Sequence, residues 1–153
     1  MAANTLKEYL DRQCVTHRSI THSQTFTAQR TAEVTHIRGM KLAKTVVVHA
    51  DGRMCLAVVP AHFHLDLDKL KRAAGASTVR LADESELRTL FPDCETGAMP
   101  PFGNLYGMEV YVQQDLTDDA EIAFNACSHT EVMEVPFHDF ERLVQPTIAN
   151  FAQ

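Results

Sequence analysis

The sequence predicts a mixed α/β (α+β) domain built on a curved, largely antiparallel sheet flanked by helices. Three observations lead there. Strand-like and helix-like segments are interspersed along the chain. Hairpin signals outnumber strand-helix-strand crossovers. Most directly, Asp51-Gly52 separates two apolar, β-branched runs, residues 45–49 and 54–59, and Asp-Gly between such runs is a strong signal for a two-residue hairpin turn. Both runs are nearly continuously apolar, so the hairpin is expected to lie centrally with both faces covered. At 153 residues, with no repeat, low-complexity tract or linker, the chain reads as one domain, 1–153.

The remaining elements follow in order. Asn4 is placed to cap a helix running to about Gln13, with Leu6, Tyr9 and Leu10 on one stripe. Residues 15–21 alternate as a short strand does, and a second helix is expected from Thr27 to about Ile37, stopping near Gly39. Residues 66–75 carry acids in the first turn, bases in the last and Gly75 just beyond, all favourable to the helix dipole. Asp83 and Glu86 have capping-box spacing ahead of Leu87 and Leu90, and Pro92 ends that helix. Residues 108–112, 121–125 and 131–135 read as three strands, and Phe137, Phe140, Leu143 and Val144 mark a closing helix.

Composition narrows the function. Hydrophobic residues make up 45% and charged residues 22%, ordinary globular values, and no apolar run approaches the roughly 20 residues of a membrane span. The first residues show no basic region followed by an apolar core, so a cytoplasmic location is expected. A formal charge of -6 gives no general basic field, so any nucleic-acid contact must be local. Two basic groups could supply one: Arg38, Lys41 and Lys44, or Lys69, Lys71 and Arg72. Each also reads as an ordinary solvated face. Cys14, Cys55, Cys94 and Cys127 form no CxxC pair, which argues against a zinc ribbon or redox dithiol and favours buried, reduced thiols.

The most informative stretch is Gly97-Ala98-Met99-Pro100-Pro101-Phe102-Gly103. Two glycines bracket a proline pair that locks the backbone while leaving nearby amides free to face an anion or carbonyl. Together with Lys44-Thr45 entering the hairpin, Val59-Pro60 ending it and Asn125-Ala126-Cys127-Ser128-His129, this loop resembles the YbaK and prolyl-tRNA synthetase-associated family of aminoacyl-tRNA deacylases over roughly residues 6–144. The resemblance implies a partly barrel-like sheet and a trans-editing function, hydrolysis of the ester of a mischarged aminoacyl-tRNA. It further implies a reaction with no metal, no cofactor and no enzyme nucleophile.

By that resemblance Lys44 and Gly97 are the catalytic positions, the lysine engaging the terminal adenosine or phosphate and the glycine amide contacting the aminoacyl carbonyl or ribose. An ammonium at a strand entrance can also be a snorkelling surface group, and the loop can be purely structural. Thr45, Met99, Pro100, Phe102, Ser128 and His129 are the candidate substrate-binding residues, with core packing an equal account of Met99 and Phe102. His129 fits substrate contact, gating or a structural role. The implied partner is the acceptor end of a tRNA carrying alanine, serine or threonine, with a synthetase as a possible helper for tRNA capture and neither membrane nor DNA involved. A loop less polar than that of the cysteine-selective branch argues against cysteine. The alternatives are a non-catalytic module that binds aminoacyl-adenosine or docks on a synthetase, and an unrelated small-molecule hydrolase.

Other constellations are weaker. His62-Phe63-His64 puts two imidazoles on one side of an extended segment without a third ligand. Ser128-His129 lacks a nucleophile elbow, and the acidic run from Asp115 to Glu121 lacks the features of a calcium loop.

Overall fold

The computed structural model describes residues 3–24, 27–38 and 40–153. The elements are α1 (Ala3–Arg12), β1 (Arg18–Thr21), α2 (Ala28–Thr35), β2 (Ala43–Ala50), β3 (Arg53–Pro60), α3 (Leu67–Ala74), β4 (Val79–Leu81), α4 (Glu84–Leu90), β5 (Glu109–Gln113), β6 (Glu121–Asn125), β7 (Glu131–Pro136), α5 (Phe137–Val144) and β8 (Thr147–Ala149). Single 3₁₀ segments occupy Gly103–Leu105 and Gln114–Asp118.

Five strands form one sheet in the order β4-β2-β3-β5-β8, and three form another in the order β1-β7-β6. Pairing is antiparallel in β2–β3, β2–β4, β1–β7 and β6–β7, as the hairpin signals predict, but parallel in β3–β5 and β5–β8. A parallel bridge between Leu42 and Ala123 joins the two sheets at the entrance to β2. The 45–59 hairpin forms as predicted, with Ala43 opposite Pro60 and Ala50 opposite Arg53. Asp51 and Gly52 have φ of 51° and 80°, the two positive values of a type I′ turn. The Asp51 carboxylate also accepts the Ser77 and Thr78 amides, fastening the turn to the segment that leads into β4.

Both hairpin faces are covered. Ala43, Val47, Leu56 and Val58 enter the larger core with Leu6, Leu10, Phe102, Phe124 and Phe140. Val48, Cys55, Ala57 and Val59 pack with Leu70 of α3 and with Phe151. A third, smaller cluster, Ile37, Leu42, Ala61, Ala123 and Val132, fills the junction of the sheets.

Two helix caps fall on residues to which the sequence reading gave no capping role. Thr27 caps α2 by accepting the Arg30 amide, and Asp66 caps α3 by accepting the amides of Asp68 and Lys69. The α3 helix stops at Gly75 with φ 63°. The Asp83–Glu86 capping box of α4 is fully formed. Two boundaries differ. Asn4 lies within α1 instead of preceding it, and α2 ends at Thr35 because His36 turns into the left-handed region; Gly39, the predicted stop, lies outside the described residues. Two strands, β4 and β8, have no counterpart in the sequence reading. Each is a three-residue, mostly exposed edge strand, too short to show alternation.

Glu86 links three elements: its carboxylate pairs with Arg80 of β4, contacts His49 of β2 and accepts the Asp83 amide in α4. Arg80 chiefly, then the Asp83 amide and His49, hold its carboxyl down at about 2, below the ordinary 4.5. A depressed folded-state value contributes stability that is present above the ordinary carboxylate range and lost as pH falls through the folded value. Glu86→Gln is therefore expected to be less stable than wild type at pH 7. The gap should close between about pH 4.5 and 2, as read by urea unfolding across that range.

Candidate functional site

The 97–103 loop and the Asn125–His129 turn, remote in sequence, form one seam. The Glu95 amide donates to the Cys127 carbonyl and the Cys127 amide to the Ala98 carbonyl, each at 2.9 Å. The His129 amide donates to the Glu95 carboxylate at 3.0 Å, and His129 Nε2 lies 2.8 Å from the Thr96 carbonyl. A carbonyl only accepts, so Nε2 carries the proton of that bond. His129 is 7% exposed and its ring lies over Gly97, where an added Cβ would stand 3.6 Å from Cε1. The imidazole therefore anchors the loop, and its Nε2 is committed to that task. Glu95 and Thr96 tie the loop to the turn, and the sequence reading named neither because nothing in their local pattern marks them.

Gly97 has φ 87°, which a side chain adopts only under strain. Its amide and that of Met99 donate to no partner among the described residues, as the rigid-loop reading expects. Below them, Met99 is 4% exposed and Phe102 is fully buried, edge-on to Tyr9, Phe124 and Phe140. These two candidate contacts are core residues that brace the loop from beneath. Pro100 is also buried. Ser128 is half-buried, and its hydroxyl accepts the Thr130 amide at 3.1 Å and bonds the Thr130 hydroxyl at 2.7 Å, tightening the turn.

Lys44 and Thr45 project from opposite faces of β2. Thr45 shares the face of Ala43 and Val47, toward the larger core, and its buried hydroxyl has no hydrogen-bond partner. Lys44 lies on the face of Val46 and Val48, half-buried. Desolvation lowers its ammonium pKa from the ordinary 10.5, and no carboxylate offsets this. A parallel bridge joins Leu42, at the entrance to β2, with Ala123 of β6, and Asn125 ends β6. Asn125 Oδ1 is buried without a hydrogen-bond partner. Two residues beyond Asn125 the chain enters the Cys127–His129 turn; the sequence reading quoted Asn125 in that motif but gave it no role.

Cysteine usage departs from expectation. Cys94 and Cys127 are joined as a disulfide across the seam, whereas Cys55 is a buried free thiol and Cys14 an exposed one. Even spacing in sequence hid the pair, because α4 and β6 deliver their C-terminal ends to the same place. The first basic group is also not a free patch. Arg38 pairs with Asp119, and Lys41 with Glu121 and the buried Glu134. Lys71 and Arg72 on α3 are exposed.

The aminoacyl-tRNA editing domain, as a family, matches residues 22–143, most of the chain. The chain belongs to that family. The editing domain is 29% identical over 153 residues to the multifunctional Ser/Thr-tRNA deacylase ProXp-y of Escherichia coli K12, covering 95% of this chain and 86% of that protein. Its fold matches the crystal structure of a candidate trans-editing enzyme for prolyl tRNA synthetase, with a TM-score of 0.84, 21% identity and 99% and 96% of the two chains covered. It likewise matches the crystal structure of a hypothetical protein, with a TM-score of 0.86, 19% identity and 97% and 99% covered. No helix among the editing domain's described residues is long and apolar enough to cross a membrane.

His129→Ala is expected to cost the editing domain about 2 kcal/mol in urea unfolding, because it removes a buried ring together with its bond to the loop. An unchanged midpoint would remove His129 as the anchor.

Proposed function

We propose that this chain is a cytoplasmic editing enzyme that hydrolyses the ester joining serine or threonine to a tRNA that should not carry it. One observation carries the reading: Lys44 stands half-buried near the entrance of β2, two residues past the bridge between the sheets, with no carboxylate partner among the described residues. Burying an ammonium without a counter-ion costs stability, so a site that keeps one is built for an anionic ligand group. The phosphate of the terminal adenosine of an acylated tRNA supplies such a group.

In this mechanism Lys44 holds the adenosine end, and the Gly97 and Met99 amides face the aminoacyl carbonyl. Donors already fixed in place stabilise the charge that develops there as a water or a substrate hydroxyl attacks. His129 acts by keeping Gly97 in position. The unpartnered Asn125 oxygen suits an acceptor for the amino acid's hydroxyl or ammonium. Buried polar groups of this kind discriminate by being left unpaired with the wrong ligand, and the similarity to a Ser/Thr-tRNA deacylase supports the same choice. The chain itself contributes position and electrostatics, with no metal and no covalent enzyme intermediate. Lys69, Lys71 and Arg72 on α3 are the basic group left to meet the tRNA backbone, and the net charge of -6 favours capture with help from a synthetase.

The test is loss of labelled amino acid from a panel of charged tRNAs. Release of serine and threonine from mischarged tRNA, with correctly charged tRNA spared, is the expected result. Tight binding of aminoacyl-adenosine with no release from any tRNA would replace the enzyme with a binding module. Hydrolysis of simple esters regardless of tRNA would indicate a small-molecule hydrolase.

A further inference from the structure

We propose that Cys94 and Cys127 are a reversible thiol pair, exchanging with a small-molecule disulfide such as oxidised glutathione, that clamps the 97–103 loop to the His129 turn. Their Cα atoms are 4.3 Å apart across a sequence separation of 33, well inside bridging reach. Cys94 lies three residues before Gly97 and Cys127 two before His129, so the bond crosses the same seam as the four hydrogen bonds joining Glu95, Thr96, Ala98, Cys127 and His129. Reduction leaves those four in place. The loop keeps its shape but loses its covalent tie.

Access sets the order of the exchange. Cys94 is half-buried, with Sγ 4.0 Å from the Tyr106 hydroxyl, whereas Cys127 is 5% exposed. The Cys94 thiolate attacks one glutathione sulfur, the glutathione disulfide bond breaks and one glutathione thiolate leaves. Cys127 then attacks the Cys94 sulfur of the mixed disulfide and expels the second. Two protein thiols are oxidised to one disulfide, their two protons pass to the leaving glutathione thiolates, and one glutathione disulfide becomes two thiols. Cys55 is buried in a different cluster and Cys14 is exposed, so both serve as internal controls. Intracellular disulfides outside hyperthermophiles are typically of this transient, redox-sensing kind. The clamped loop is the preorganised one.

Only the kinetic consequence rests on the editing function. The experiment equilibrates the protein in oxidised and in reduced glutathione, then reads cysteine alkylation by mass spectrometry and hydrogen exchange of the 97–103 amides. In the oxidised buffer, Cys94 and Cys127 should resist N-ethylmaleimide and carry no glutathione, as one internal disulfide, while exposed Cys14 is found as a glutathione adduct. The loop amides should exchange roughly tenfold more slowly than in the reduced buffer. Cys94→Ser should abolish that difference, as should Cys127→Gly, whose glycine accepts the φ of 68° at this position without strain. Deacylation should show a several-fold lower KM in the oxidised form with kcat unchanged. Equal alkylation of the pair in both buffers, or equal loop exchange, would overturn the clamp. An exchange difference in a protein that deacylates nothing supports the clamp and counts against the editing function instead.

Discussion

Lys44→Met is expected to reduce deacylation of mischarged tRNA by roughly 100-fold or more, the loss that follows when the reacting ester is no longer held in position, while leaving the fold as stable as wild type or more so. The two halves of this result have one cause. Lys44 is half-buried with no carboxylate to offset its desolvation, and burial lowers its pKa. Its charge therefore works against folding, and a methionine of similar length removes that cost while filling the same space. The sign with pH follows. The unfolded chain holds this proton to higher pH than the folded one, so wild type gains stability as pH rises through the lowered value. The advantage of Lys44→Met in thermal melting should shrink over the same interval. Parallel loss of activity and stability would make Lys44 a structural residue and remove the central support for the mechanism.

Gly103→Ala should give the largest loss of stability from a single methyl group in this chain. A Cβ there would stand 2.5 Å from Val110 Cγ2, 2.7 Å from the Met108 carbonyl and 3.3 Å from Leu56 Cδ1. One of these is backbone, and the Gly103 carbonyl itself accepts the Met108 amide at 2.9 Å, so the segment cannot open without losing that bond. Overpacking of this kind costs about 1–3 kcal/mol, and a domain of this size loses roughly 2–4 °C in Tm for each kcal/mol. Gly107→Ala is the control: nothing lies within 4 Å of its added Cβ, and only the positive φ of 68° opposes it. If Gly103→Ala melts with Gly107→Ala or above it, the loop yields more easily than its contacts imply. The two ends of the loop thus need glycine for different reasons, Gly97 for its conformation and Gly103 for its neighbours.

Much of the site was legible because its features are local. The loop glycines and prolines restrict the backbone through their own covalent structure, and Lys44-Thr45 heads a strand whose turn, Asp51-Gly52, is written in two adjacent residues. The roles of the loop residues were less legible. Phe102 and Met99 read equally as pocket lining or core, and their burial beside Phe124 and Phe140 makes them the support under the loop. His129 carried three open roles, and one distance, 2.8 Å to the Thr96 carbonyl, ties its ring to the loop.

By itself the sequence determined most of the elements, the central hairpin, the stop of α3 at Gly75, the capping box of α4 and the rigid loop, because each depends on interactions within a few residues. Tertiary structure alone decided the parallel pairing of β5 with β3 and β8, the exposed edge strands β4 and β8, the meeting of Cys94 with Cys127 and the bridge of Leu42 to Ala123. Those contacts join segments tens of residues apart. They exist only because the whole chain buries its apolar faces together, and no local pattern encodes which distant backbone will lie alongside.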